Sequence, residues 1–250
     1  MSIPVSIPDA QLAFDIEGIL HQAAVEAAPP WAGAPLHFTT AYYSPAELGA
    51  AFAHWQFLHS HDDTHVQSRM WHQAIAAPSG FNLGDHSFGL FTADLRCEPW
   101  KHSEPQGDCL CVGDLVYQST CAPCGWHAIA PDENSAVEHW HDHALSGWRD
   151  LPIVPARLRK TDSIGLSKAA RRWIEEHYPN SIQIAGAPII TERSGTGTRH
   201  VPGRSPWCGY DLSHTALERD ATAPRARRHP MENVLASTRP SCASGRSIGD

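Results

Sequence analysis

Apolar residues recur at helical spacing in four stretches of the chain, and five shorter stretches carry strand signals. The clearest helix runs from Ser44 to His59. Ser44, Pro45 and Glu47 supply an N-cap, a first-turn proline and a capping-box acid. Leu48, Ala51, Phe52, Trp55 and Leu58 then form one stripe suited to core packing. A helix is also predicted over Gln11 to Ala28, where Leu12, Ile16, Ile19, Leu20 and Ala23 share a face ahead of Pro29-Pro30. Another spans Ser167 to Tyr178, with Ala169, Ala170, Trp173, Ile174 and Tyr178 on one side and Pro179 as its stop. The fourth opens between Pro131 and Ser135, with Asp132 and Glu133 at its positive end. Ala136, Val137, Trp140 and Ala144 make its inward stripe.

Strands are predicted over Leu36 to Tyr43, Val112 to Ser119, Trp126 to Ala130 and Ile182 to Ile190, the last broken at Gly186-Ala187-Pro188. In His86 to Cys97, Phe91, Ala93 and Leu95 alternate while Phe88 and Leu90 precede them out of phase. That shift predicts a bulge or kink near Gly89. Pro152 and Pro155 suggest an extended linker. The expected class is α+β, with a small ββα zinc-finger-like module between strand and helix segments. The expected divisions are an N-terminal segment (1–35), an α+β domain (36–108), the module (109–150), a helix-and-loop region (151–218) and a disordered basic tail (219–250).

Composition changes this picture in two ways. Seven cysteines, with no basic n-region or apolar h-region at the N-terminus, suggest a cytoplasmic chain whose cysteines are thiols or metal ligands. No apolar run approaches the ~20 residues of a membrane span. Charge is also uneven. Residues 1–150 carry 4 Lys/Arg against 18 Asp/Glu, and residues 151–250 carry 15 against 9. The basic back half suggests an acidic partner such as nucleic acid, or simply a solvated surface.

The chemistry is concentrated between Cys109 and His143, which hold four of the seven cysteines and four of the seventeen histidines. Cys121 and Cys124 form a Cys-x2-Cys turn, with Gly125 suited to a positive φ. Fourteen residues later, His139 and His143 stand one helical turn apart. Two thiolates on a turn and two imidazoles on a helix are the donors of a closed, structural zinc site. Three ligand sets remain open: Cys121, Cys124, His139 and His143; a mixed set of His143 with Cys109 or Cys111; and four cysteines, Cys109, Cys111, Cys121 and Cys124. Buried thiols with no metal are the alternative. His141 points about 160° away from the midpoint of the His139–His143 pair, at ~100° per residue.

Other motifs are weaker. His59 to His65, HSHDDTH, nearly matches a His-x-His-x-Asp-His hydrolase motif. Thr64 stands where the last histidine belongs, and the stretch follows a helix instead of a strand. Exposed imidazoles at a helix end account for it; a metal-dependent hydrolase using His59, His61 and His65 is the competing reading. Ser194 to Tyr210 is Gly- and Arg-rich but matches no phosphate-binding loop. Between Lys101 and Leu145 a single base faces seven acids, so the metal segment is unsuited to reading DNA.

Several phrases resemble an uncharacterised actinobacterial domain family found in chromosomes, plasmids and phages: Phe91–Cys97, Gly113–Trp126 with Cys109-x-Cys111, Glu133–Glu138, Asp142–Pro155 and Gly197–Leu212. The resemblance spans roughly residues 36–212. It implies Cys121, Cys124 and His143 as the firmest metal candidates and implies no activity. The expectation is thus a non-catalytic, zinc-stabilised binding or scaffold protein.

Overall fold

A computed structural model describes residues 16–59, 68–74, 81–96, 113–158, 166–192 and 199–214. The architecture is α+β. Helices α1 (Ile16–Ala27) and α2 (Pro45–His59) lead into an antiparallel sheet of β1 (His72–Gln73), β2 (Phe81–Leu83), β3 (His86–Asp94), β4 (Leu115–Cys121) and β5 (Trp126–Ala130). β3 pairs with β4 from Gly89↔Thr120 to Asp94↔Leu115, and β4 pairs with β5 from Tyr117↔Ala130 to Cys121↔Trp126. β1 and β2 share the other edge of β3. Helix α3 (Glu133–Ala144) follows. A second sheet, β6 (Ile153–Val154), β7 (Ile189–Thr191) and β8 (Asp211–Ser213), is parallel, with α4 (Lys168–His177) between β6 and β7 in sequence. Among the described residues no helix is long and apolar enough to cross a membrane.

Helices α2 and α4 begin where the sequence places them, and α3 opens within the expected Pro131–Ser135. Ser44 and Glu47 form a reciprocal box, Ser44 N–H donating to Glu47 Oε2 at 2.7 Å and Glu47 N–H to Ser44 Oγ at 3.3 Å. Asp132 accepts from Ser135 N–H at 2.9 Å, and Ser167 from Ala170 N–H at 3.1 Å.

The bulge expected near Gly89 is absent: β3 pairs with β4 in continuous register from Gly89 to Asp94. The phase shift has another cause, because both faces of β3 are buried. Phe88 and Leu90 join a core with Ala136, Val137 and Trp140 of α3. Phe91 and Ala93 face the other way, toward Leu48 of α2 and Trp71. Gly89 lies on the α2 face, where a Cβ would come within 2.5 Å of Thr120 Oγ1 and 3.5 Å of Pro45.

Three further expectations change. Residues 36–43 form no strand. Their carbonyls are met by ring nitrogens instead: the Trp71 indole donates to Thr39 O at 2.7 Å, and His127 Nε2 lies 3.1 Å from Thr40 O. The Pro152–Pro155 linker contains β6, whose partner is β7. The strand expected from Ile182 shrinks to β7, preceded by a 3-10 turn at Asn180–Ile182. The tail from residue 219 lies outside the described residues, as does Gln11–Asp15 of the first predicted helix.

The two sheets share one core, in which Leu83, Phe88 and Leu90 meet Ile189, Ile190 and Leu212 within a single cluster. Tyr178 locks the second sheet. Its phenol donates to Pro152 O at 2.7 Å and accepts from Ile190 N–H at 3.0 Å, while burial pushes its pKa up. Gly186 joins the sheets at φ +83°, where a Cβ would fall onto the Asn82 carbonyl of β2. Gly186→Ala combines left-handed strain with a backbone clash and is expected to cost about 3 kcal/mol. A urea-unfolding midpoint unchanged from the parent protein would contradict this packing.

Candidate metal centre

The site grows from a hairpin, a strand start and a helix end. β4 closes onto β5 at the pair Cys121↔Trp126, leaving Ala122 to Gly125 as the turn. Gly125 takes φ +56°, as its position after the second cysteine suggested, and donates to Ala122 O at 3.2 Å. Ala122 N–H donates to Ser87 Oγ at 3.2 Å, fastening the turn to β3. This curl brings Cys121, fully buried, and Cys124, half-buried, to the same imidazole.

That imidazole is His86, the first residue of β3. Period-two alternation puts it on the side of Phe88 and Leu90, facing α3. His86 Nδ1 lies 3.6 Å from Cys121 Sγ and 3.4 Å from Cys124 Sγ. A tetrahedral ion with Zn–S near 2.3 Å and Zn–N near 2.0–2.1 Å has S···N edges of about 3.6 Å. His143, in the last turn of α3, completes the group, and the four ligand atoms all lie within 4.8 Å of one another. His143 Nε2 is buried with no hydrogen-bond partner among the described residues. The His143 ring stacks on Trp126 at 4.4 Å and 6°, and stands at 86° to His86 with centroids 4.9 Å apart. Burial, then the neighbouring His86, lowers its pKa and favours the neutral, metal-binding form. Tyr42 lies beside the turn; its pKa is raised first by burial and further by Cys121, Glu47 and Cys124.

Of the six ligands considered from sequence, Cys121, Cys124 and His143 come together. His139 is exposed and outside the group. At ~100° and 1.5 Å per residue, His139 sits about 40° further toward solvent than His143 and about 6 Å back along the axis. His86 takes the remaining corner. Cys109 and Cys111 lie outside the described residues, as do His61 and His65. His59 stacks on Trp55 at 4.5 Å, its Nδ1 lying 2.8 Å from Trp55 O. The signal for His86 was its phase with Phe88 and Leu90, but only the β3–β4 pairing turns that phase into proximity with Cys121.

The opposite flank of α3 is held by a buried polar network. Ser213 N–H donates to His200 Nδ1 at 3.0 Å, so the ring proton sits on Nε2 and donates to Glu138 Oε1 at 2.9 Å. Arg149 Nη1 donates to Glu138 Oε2 at 3.2 Å, and its Nε and Nη2 grip Asp142 at 2.9 and 3.0 Å. Asn134 Oδ1 accepts from His200 N–H at 3.1 Å. These contacts join α3 to the C-terminal segment.

These features define an α+β protein with two thiols and two imidazoles grouped so that they could hold a metal ion. The chain belongs to a family of unknown function, DUF6349, whose model matches residues 33–222. No curated protein and no solved structure matches it.

His141, on the same helix, shows what burial does to an imidazole that serves no ion. It is fully buried among Trp140, Trp148 and Tyr210, with Nδ1–H donating to Val137 O at 2.8 Å. Desolvation lowers its pKa from 6.5 to about 4. Between these values the unfolded chain binds a proton that the folded chain does not. Stability is therefore fully present above about pH 6.5 and falls as pH drops toward 4, by about 3 kcal/mol in total. His141→Phe should remove that part of the acid sensitivity. Any loss linked to the Cys/His group is common to both proteins, so the difference between their urea midpoints from pH 7 to 4.5 isolates His141; a constant difference would contradict the assignment.

Proposed function

We propose that this chain is a non-catalytic, zinc-stabilised protein of the binding or scaffold type. The supporting observation is the placement of His86 Nδ1 at tetrahedral-edge distance from both Cys121 Sγ and Cys124 Sγ, with a ring nitrogen of His143 completing a group whose four ligand atoms all lie within 4.8 Å of one another. Two thiolates and two imidazoles suit zinc, and four protein donors leave no position for substrate. The role of the ion is mechanical. It ties the β2–β3 hairpin, the β4–β5 hairpin and the end of α3 at one point. The competing hydrolase reading rests on His59, His61 and His65, of which His61 and His65 lie outside the described residues; at the Cys/His group itself, four protein donors leave no open coordination position.

Purified protein should contain about one zinc per chain by elemental analysis. Cys124→Ser and His86→Asn should each lose it, whereas His139→Ala should keep it. Stripping the zinc should lower Tm by about 10 °C or more, since ligand binding to the folded state is stability. Zinc retained at full stoichiometry in His86→Asn would refute this ligand set.

A second reading concerns the basic back half. Lys168, Arg171 and Arg172 are exposed at i, i+3 and i+4 of α4, an arrangement able to meet a phosphate backbone, although Glu175 and Glu176 follow on the same helix. If this face binds nucleic acid, retention on a DNA column should fall steeply with salt and weaken in Arg171→Gln/Arg172→Gln. Passage of the parent protein straight through at low salt would dismiss it.

A further inference from the structure

The two thiols are unlike in access and alike in position. Cys121 is fully buried at the end of β4, while Cys124 is half-buried in the hairpin turn. Their sulfurs lie within 4.8 Å of one another in a single turn, so forming a disulfide of about 2.05 Å needs local turn movement only. The other two donors, His86 and His143, are imidazoles that this oxidation leaves untouched. Loss of the thiol pair therefore removes half the coordination shell at once.

On the basis of the metal site proposed above, we infer that Cys121 and Cys124 form a peroxide-sensitive switch that releases the ion by closing a disulfide. The Cys124 thiolate, the more accessible of the two, attacks a peroxide oxygen. The O–O bond breaks, Cys124 becomes a sulfenic acid and hydroxide leaves. The Cys121 thiolate then attacks the Cys124 sulfur, expelling a second hydroxide and forming the S–S bond. Two thiolates lose two electrons, which the peroxide gains. Of the described group only His86 and His143 then remain as donors, too few to keep zinc in a tetrahedral site. The β2–β3 hairpin and the end of α3 lose their common tie to the β4–β5 hairpin. A dithiol reverses the step by taking up the disulfide, restoring both thiolates. Cys208, exposed in a separate turn, supplies no ligand to this group and serves as an internal control.

The test uses the full chain after its zinc content has been measured. Hydrogen peroxide is added with a chromogenic zinc chelator present, and the products are mapped by peptide mass spectrometry. The expected result is release of about one zinc per chain, a Cys121–Cys124 disulfide, and restored zinc binding after dithiothreitol. Cys208→Ser should behave identically. Trp126, stacked on His143, gives a second readout as a fluorescence change with the same time course. A protein that holds its zinc while Cys208 oxidises overturns the switch and leaves the metal site standing. Release accompanied by sulfinic acid at Cys124 in place of the disulfide also overturns it. A protein that purifies and reconstitutes without zinc overturns the metal site and the switch together.

Discussion

The arrangement depends on β3 being covered on both faces. Phe88 and Leu90 go to the core under α3, and Phe91 and Ala93 to the core under α2. A slip of one residue would exchange these sets and drive Phe88 and Leu90 out of the larger core. The same constraint turns His86 toward α3 and, through the β3–β4 register, sets it beside Cys121. The donors are thus positioned by apolar packing that has no chemistry of its own. Gly89 serves the same end, since a side chain there would collide with Thr120 beneath α2.

Helix α3 is the second organising element. One flank carries Ala136, Val137 and Trp140 into the sheet, and the other carries Asn134, Glu138 and Asp142 to His200 and Arg149. Glu138 is nearly inaccessible at 4 % exposure, so its carboxylate depends on these partners for hydrogen bonds. His200 is fixed in one tautomer by Ser213, which binds the C-terminal strand to the middle of the helix. Such a network contributes more to uniqueness of docking than to net stability, because desolvation offsets much of its attraction.

What was legible in the sequence was mostly local. The capped starts of α2, α3 and α4, the Cys-x2-Cys turn with its positive-φ glycine, and the strand that follows were all readable, because each rests on residues within one turn of each other. Cys121 and Cys124 stood out for the same reason, and His143 through the helical spacing and the family resemblance. His86 did not, because its place depends on pairing with a strand about 30 residues away. His139 looked suitable because four residues is one turn, yet a small difference in facing and height separates neighbouring positions on a helix. The parallel sheet was hidden for a related reason. β6 and β8 are two and three residues long, and β6 sits between prolines that read as a linker.

That parallel sheet also bears on how the molecule is assembled. β7 lies between β6 and β8, and β8 ends at Ser213, near the far end of the described chain. During synthesis the antiparallel sheet and α3 leave the ribosome well before β8 does. Until then the buried Thr191 hydroxyl lacks its Asp211 acceptor, and His200 lacks the Ser213 amide. The nascent molecule therefore carries a nearly complete front half beside an unfinished strand edge. His200 then meets Glu138 across 62 residues of chain, the kind of non-local contact that closes slowly.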